Sequence, residues 1–321
     1  MAAVRKNILT DDTARDQYIQ GATLLKQEFL GPTTQDFGIP GPAVQVSTYD
    51  LFVAWHHIAM FTFTPPSQGD RNAAHRGPVF LPWHRFMLIL LELQFQRVLG
   101  DESFGIPYWD WAADGDLSAG QQAAAPIWSA AYMGGQGDPV TTGPFAFDAT
   151  DPTSWRVRVE ADVQGQLRAT NRGLRRAFGR FVPTLPRTSE VKDALALTDY
   201  DAFPWDTTSE GFRNRVEGWQ PAATAPGLHN RVHVWVGGDM LISTSPNDPV
   251  FYLNHCDEDR IWAAWQTQPD VSSYLPDQTA PTDLLGHRID DPMYALLSDP
   301  VTPRQMLEVT DFYTYDTLVV D

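Results

Sequence analysis

Apolar positions recur at helical spacing along much of this chain, and turn residues punctuate them. In residues 11–29, Ile19, Leu24, Leu25 and Phe29 stand among polar neighbours, which predicts an amphipathic helix closed by Gly31-Pro32. Residues 38–42 read as a Gly/Pro turn. In residues 48–61, Leu51, Phe52, Trp55, Ile58 and Ala59 fall on one face, with Ser47 or Thr48 placed to cap the start. Residues 64–77 are loop by their Pro, Gly, Ser and Asn content. Pro82 suits the first turn of a helix running to Leu99, whose broad apolar face (Met87, Leu88, Leu90, Leu91, Phe95, Val98) predicts a central, buried helix. Residues 112–151 lack any sustained period and predict a long surface loop with short structured pieces. Arg168, Arg172, Arg175, Arg176 and Arg180 follow within residues 167–181. A solvated helix end or loop is the expected setting for such a cluster, with a docking face for an acidic partner as the alternative. Short helices are predicted over 190–197 and 209–219, and the C-terminal EVTDFYTYDTLVV suits a strand. With no repeat and no linker, the pattern predicts a mainly α protein, a single domain over residues 1–321.

The stretch over residues 227–265 adds candidate chemistry. His229 and His233 are four apart and share one face of a helix that Gly237-Gly238 stops. The segment Ser245-Pro246-Asn247-Asp248-Pro249 starts the next helix, which carries His255. The short connection makes the two helices antiparallel neighbours, so a histidine pair can meet a third imidazole in a helix-bundle core. A second set lies earlier: His56 on one helix, His75 in a loop and His84 on the next helix, with no cysteine or carboxylate in step. Three neutral imidazoles with an open position make a catalytic metal site rather than a closed structural one. Two such sets on four helices predict a binuclear site. Imidazole-only ligation suits zinc, copper, iron or nickel, with copper at the top of the divalent order. Of the eight histidines, His287 lies outside both sets in a Gly-flanked segment and is expected at the surface.

Composition narrows the partners. A hydrophobic fraction of 43% and 11 tryptophans suit a substantial core. The net charge of −17 argues against nucleic acid or an anionic membrane as the main partner. Cys256 is the only cysteine, so no intrachain disulfide forms. The start, MAAVRKNIL, lacks the apolar core of a signal peptide, and no run approaches a membrane span. A cytoplasmic location, or export on a partner, is therefore expected.

These residues resemble a known family. FVAWH (residues 52–56), HRGPVFLPWHR (75–85) and PYWDW (107–111) look like the first copper region of the tyrosinase family. LHNRVHVWVGG (228–238) and SPNDPVFYLNHCDEDRIWAAW (245–265) look like the second. The likeness is nearest to the short bacterial tyrosinases and extends to Arg5 and to YTY at 313–315. Two ordered motifs with six histidines are specific. The resemblance implies a four-helix bundle around a type-3 dicopper centre, with dioxygen as co-substrate. His56, His75 and His84 would hold one copper, and His229, His233 and His255 the other, while His57 would not bind. It implies oxidation of phenols and o-diphenols to o-quinones. The alternatives are an o-aminophenol oxidase, a haemocyanin-like oxygen carrier and a zinc or structural metal protein.

Finer expectations follow from the same resemblance. Glu217 and Asn230 match a pair that holds a water for phenol deprotonation, although the Glu217 match needs an insertion within QPAATAPG at 220–227. Val234 is small and leaves the entry open, and Phe80 and Phe251 pack on imidazoles. A helper protein for copper loading is expected as a partner. Asp259, four residues after His255, is expected either behind that ligand or paired along the helix with Arg260. Two positions depart from the family: Asn254 stands where another histidine is usual, and Ala73 where some members carry a thioether cysteine. Cys256 is expected to be a buried, inert thiol.

Overall fold

A computed structural model describes residues 2–219 and 225–320, so most of the inserted stretch 220–227 lies outside it. Helices dominate. In chain order they are α1 (Asp12–Gln27), α2 (Thr48–Met60), α3 (Phe80–Leu99), the short α4 (Trp111–Gly115) and α5 (Ala119–Gln122), α6 (Thr188–Leu195), α7 (Phe212–Glu217), α8 (Leu228–Val236) and α9 (Val250–Gln266). The strands are short and pair two by two: β1 (Ala3–Arg5) with β6 (Tyr313–Tyr315), β2 (Phe29–Thr33) with β3 (Gln45–Ser47), and β4 (Val157–Ala161) with β5 (Leu167–Arg172).

Local chemistry sets the main helix ends. Asp11 caps α1 by accepting from the Ala14 amide. Ser47 and Asp50 form a reciprocal capping box that starts α2. Gly100 ends α3 in the left-handed region, and α3 begins at Phe80, two residues before Pro82. A 3-10 turn, Ser245–Asn247, precedes α9, and the Asp248 carboxylate accepts from the Val250 amide at 3.0 Å.

α3 and α9 run through the middle, with α1 along α3 and α8 against α9. Aromatic side chains join the layers. Tyr18 stacks on Phe95 with 5.4 Å between centroids, and Trp55 meets Trp83 at 5.2 Å edge-on. One apolar cluster reaches from Ala3 to Val320. The two ends of the chain meet as parallel strands, with Ala3 opposite Tyr313. Among the described residues, no helix is long and apolar enough to cross a membrane.

The arginine-rich segment departs from expectation. Residues 167–172 form β5, an antiparallel partner of β4, rather than a solvated helix end or loop. Arg172 pairs with Glu160 and Asp239, and Arg176 is fully buried against Asp248 at 2.7 Å. The partners lie 12 to 72 residues away in sequence, so local charge pattern alone reads as a solvated cluster.

Candidate metal centre

Both triads assemble. His56 projects from α2, His75 from the loop before α3, and His84 from the start of α3. His229 and His233 come from α8 and His255 from α9. Within each triad, one nitrogen per ring lies within 4.8 Å of the others. The triads face each other: the His84 and His255 rings stack at 4.2 Å, and His75 and His229 lie 6.2 Å apart. The remaining rings, His57 and His287, belong to neither. His57 contacts the Ser243 hydroxyl through Nδ1 at 2.7 Å and packs on Phe61. His287 is not at the surface. It is buried, with Nε2 2.7 Å from the Thr64 hydroxyl, because the turn at Gly286 (φ +92) folds it against the loop before α3.

Second partners orient most of the rings. Nδ1 of His56 donates to the Ser243 carbonyl at 2.7 Å, His84 to Phe80 at 2.8 Å, His229 to Glu217 at 3.2 Å and His233 to Met240 at 2.7 Å. Each bond leaves Nε2 as a bare acceptor, and the Nε2 atoms of these four rings and of His255 are buried without a partner. Buried polar atoms are nearly always satisfied, so converging bare imidazole nitrogens fit a bound cation. Burial also lowers the pKa of every ring, to about 3 for His56 and about 4 for His233. The imidazoles are therefore neutral at neutral pH, the form that ligates metals. An all-imidazole donor set without thiolate or carboxylate fits copper. Phe251 packs on His56 at 4.9 Å and His255 at 4.1 Å, and Phe80 on His84 at 4.8 Å and His229 at 4.9 Å, as expected.

The acidic residues of α9 sort differently from expectation. Asp259 neither reaches His255 nor pairs with Arg260. Its carboxylate binds Arg5 and Arg85 and accepts from Tyr313 and Tyr315, holding its pKa below the usual range. Asp259 shares a helix face with His255 but not with the adjacent Arg260, and the buried guanidiniums of Arg5 on β1 and Arg85 on α3 take its carboxylate. Arg260 pairs instead with Asp257 at 2.8 Å and with Asp110. The residue beside His255 is Glu258, with 2.9 Å between its carboxyl and Nδ1. Its position three residues after a histidine of the triad, on the same helix, is a signal the sequence carries.

A cavity of about 350 Å³ opens over the centre. His56, His75, His229 and His233 form its floor, and Glu217, Asn230 and Val234 are in its wall. Its volume lies at the small end of ligand pockets and admits a substituted aromatic ring. The Glu217 carboxylate is buried, accepts from the Arg76 amide at 2.6 Å and pairs with Arg213 at 2.9 Å. Burial raises its pKa against the pull of Arg213. Arg76 takes φ +64 to present that amide. Cys256 is buried, contacts the Ile106 carbonyl and has a raised pKa through burial, which makes it an inert thiol. Asn254 is fully buried with an unpartnered amide, and Ala73 packs in the core.

Comparison with known proteins gives a concordant result. A profile described as the common central domain of tyrosinase matches residues 46–268. A tyrosinase of Streptomyces glaucescens is 40% identical over 273 residues, covering 84% of this chain and 89% of its own. Grixazone synthase of Streptomyces griseus subsp. griseus is 38% identical over 291 residues, covering 84% and 90%. Among solved structures, a polyphenol oxidase mutant from Thermothelomyces thermophila superposes with a TM-score of 0.71 at 21% identity, over 98% of this chain and 89% of that one, which shows the shared fold. With two facing histidine triads fit for a dinuclear type-3 copper centre, and with matches that span most of its length, the chain belongs to the tyrosinase family.

Proposed function

We propose that this protein is a dicopper oxidase that uses dioxygen to convert phenols and o-diphenols to o-quinones. His56, His75 and His84 hold one copper, and His229, His233 and His255 hold the other. The observation that carries the reading is the pair of facing triads with bare, buried Nε2 atoms beneath an aromatic-sized cavity. The metal pair, when bound, supplies both electrons for dioxygen reduction at one place and a Lewis acid for the substrate oxygen.

The chain's own residues do the rest. A phenol, with a reference pKa of about 10, is a poor nucleophile until it loses its proton. Glu217 and Asn230 hold a water in the cavity wall, and that water takes the phenolic proton and passes it towards solvent. The Arg76 amide and Arg213 fix the Glu217 carboxylate in one orientation. Phe80 and Phe251 keep the imidazoles from turning, and Val234 leaves room for the ring to enter. The whole chain works as one catalytic domain, a reading supported by the single apolar cluster and the pairing of β1 with β6. A copper-loading helper protein belongs to the same proposal, supported by the exposed Leu241 in the cavity wall.

The test is metal analysis of copper-supplied protein together with a substrate panel of monophenols, catechols and o-aminophenols. The expected result is two coppers per chain and dioxygen uptake matched to quinone formation. Bound zinc in place of copper would refute the reading, as would stable, reversible oxygenation with no product from any member of the panel. Turnover confined to o-aminophenols would replace it with the aminophenol oxidase.

A further inference from the structure

Asp257, Glu258 and Asp259 are three consecutive acids on α9, and all three are buried. Cations account for two of them: Arg260 for Asp257, and Arg5 with Arg85 for Asp259. Glu258 is 1% exposed and, among the described residues, has no lysine or arginine within ion-pair distance. The basic group it meets is His255, with Nδ1 2.9 Å from Oε2, while Asp257, Glu217 and Asp259 add only like charge. That contact is close but oblique. Neither carboxyl oxygen has an aligned hydrogen bond, and neither does His255 Nδ1; the Asn254 amide, one turn earlier on the same face, lies close to the carboxyl without an aligned bond. An acid buried without a cation destabilises a fold, so its presence here calls for a reason outside stability.

Four of the other five rings of the centre supply a contrast, while His75 Nδ1 is buried without a partner. His56, His84, His229 and His233 each give Nδ1–H to a backbone carbonyl. His255 alone faces a carboxyl group. We propose that Glu258 is a positioning residue for the second copper, accepting the Nδ1–H of His255 when Nε2 holds the metal. The inference rests on the dicopper reading above. A metal on Nε2 leaves the ring proton on Nδ1, and an acceptor there fixes the ring and strengthens its donor nitrogen. A carboxylate accepts more strongly than a carbonyl. The second copper therefore has one ligand of a different strength from His229 and His233, and its Cu(II) form is favoured. The Asn254 amide, one turn before Glu258, is placed to hold the carboxyl towards the ring.

Two variants test this, Glu258→Leu and Glu258→Gln, each compared with wild type in metal-free and copper-loaded form. Metal-free Glu258→Leu is expected to melt at a higher temperature than wild type, because an unpaired buried acid is gone. Its second copper is expected to bind about 10–100-fold more weakly in chelator competition, with the first copper unchanged. Its Cu(II)/Cu(I) potential is expected to rise. Glu258→Gln keeps an acceptor oxygen and should retain affinity within about tenfold of wild type. Wild-type copper affinity for both sites in folded Glu258→Leu would overturn the proposal, as would a lower melting temperature of that variant without metal. Fewer than two coppers in the wild type would overturn the dicopper reading itself, and this proposal with it.

Discussion

At the residue scale, the proposed function gives the two histidine triads the metals and gives Glu217 and Asn230 the protons. Glu217 does two jobs through different atoms: its carbonyl orients His229, and its carboxylate sits in the cavity wall. Replacing Glu217 with Gln leaves the carbonyl and removes the charge. Turnover of monophenols is expected to fall about 100-fold, the lower end of general acid–base contributions, while catechol turnover falls far less. Equal fractional losses on both substrates would remove Glu217 from the deprotonation step. Because Arg213 then keeps only Asp201 as a carboxylate partner, melting temperature is measured alongside. Asn230→Ala, which breaks no ion pair among the described residues, should show the same substrate split with an unchanged melting temperature. The two histidine triads that the fold brings together were legible because His229 and His233 stand at helical spacing and the other four histidines fall within ordered motifs. Glu258 was legible in principle, three residues after His255 on the same helix, whereas the true partners of Asp259, Arg5 and Arg85, were not, because a side chain's reach across a packed interior is invisible along the sequence.

At the element scale, the turn between α8 and α9 sets the distance between His233 and His255. Gly237 and Gly238 take φ values of +68 and +55, and a Cβ on Gly238 would overlap the Arg175 carbonyl. The predicted break at these glycines is present, but the backbone of the arginine segment that packs on it was unforeseen. The same segment delivers Arg176 to Asp248, the residue that also accepts from the first amide of α9. Asp248→Ala strands a fully buried guanidinium and is expected to cost about 3–5 kcal/mol of stability, read as a lower denaturant midpoint. A midpoint within experimental error of wild type would show that the pair does not anchor α9.

At the scale of the whole molecule, buried neutral histidines tie stability to pH. His57 and His287 have folded-state pKa values lowered by burial to about 4 and about 3, and the six rings of the centre shift the same way. The unfolded chain takes these protons near pH 6.5, whereas the folded chain does not. Stability is therefore insensitive to these groups above about pH 6.5 and falls as pH drops towards 4, by about 1.4 kcal/mol per pH unit for each uncoupled group. Metal-free protein should show a flat urea midpoint between pH 7 and 8 and a steep decline below 6.5; a decline in the opposite direction would contradict neutral burial. Copper at about 100 times its Kd should add about 2.7 kcal/mol at neutral pH, and a chelator should remove that increment. The periodicity of apolar residues, the capping residues and the histidine spacing belong to short stretches of chain, so the helices, their main ends and both triads follow from the sequence alone. Which charge meets which, why an arginine cluster becomes a strand and a buried anchor and why His287 is buried depend on residues far apart in the chain, whereas Glu258 is a local neighbour of His255 whose burial away from any cation among the described residues is set by packing. Only packing sets those distances, and electrostatic and hydrogen-bond energies in a buried interior follow distance and not order along the chain.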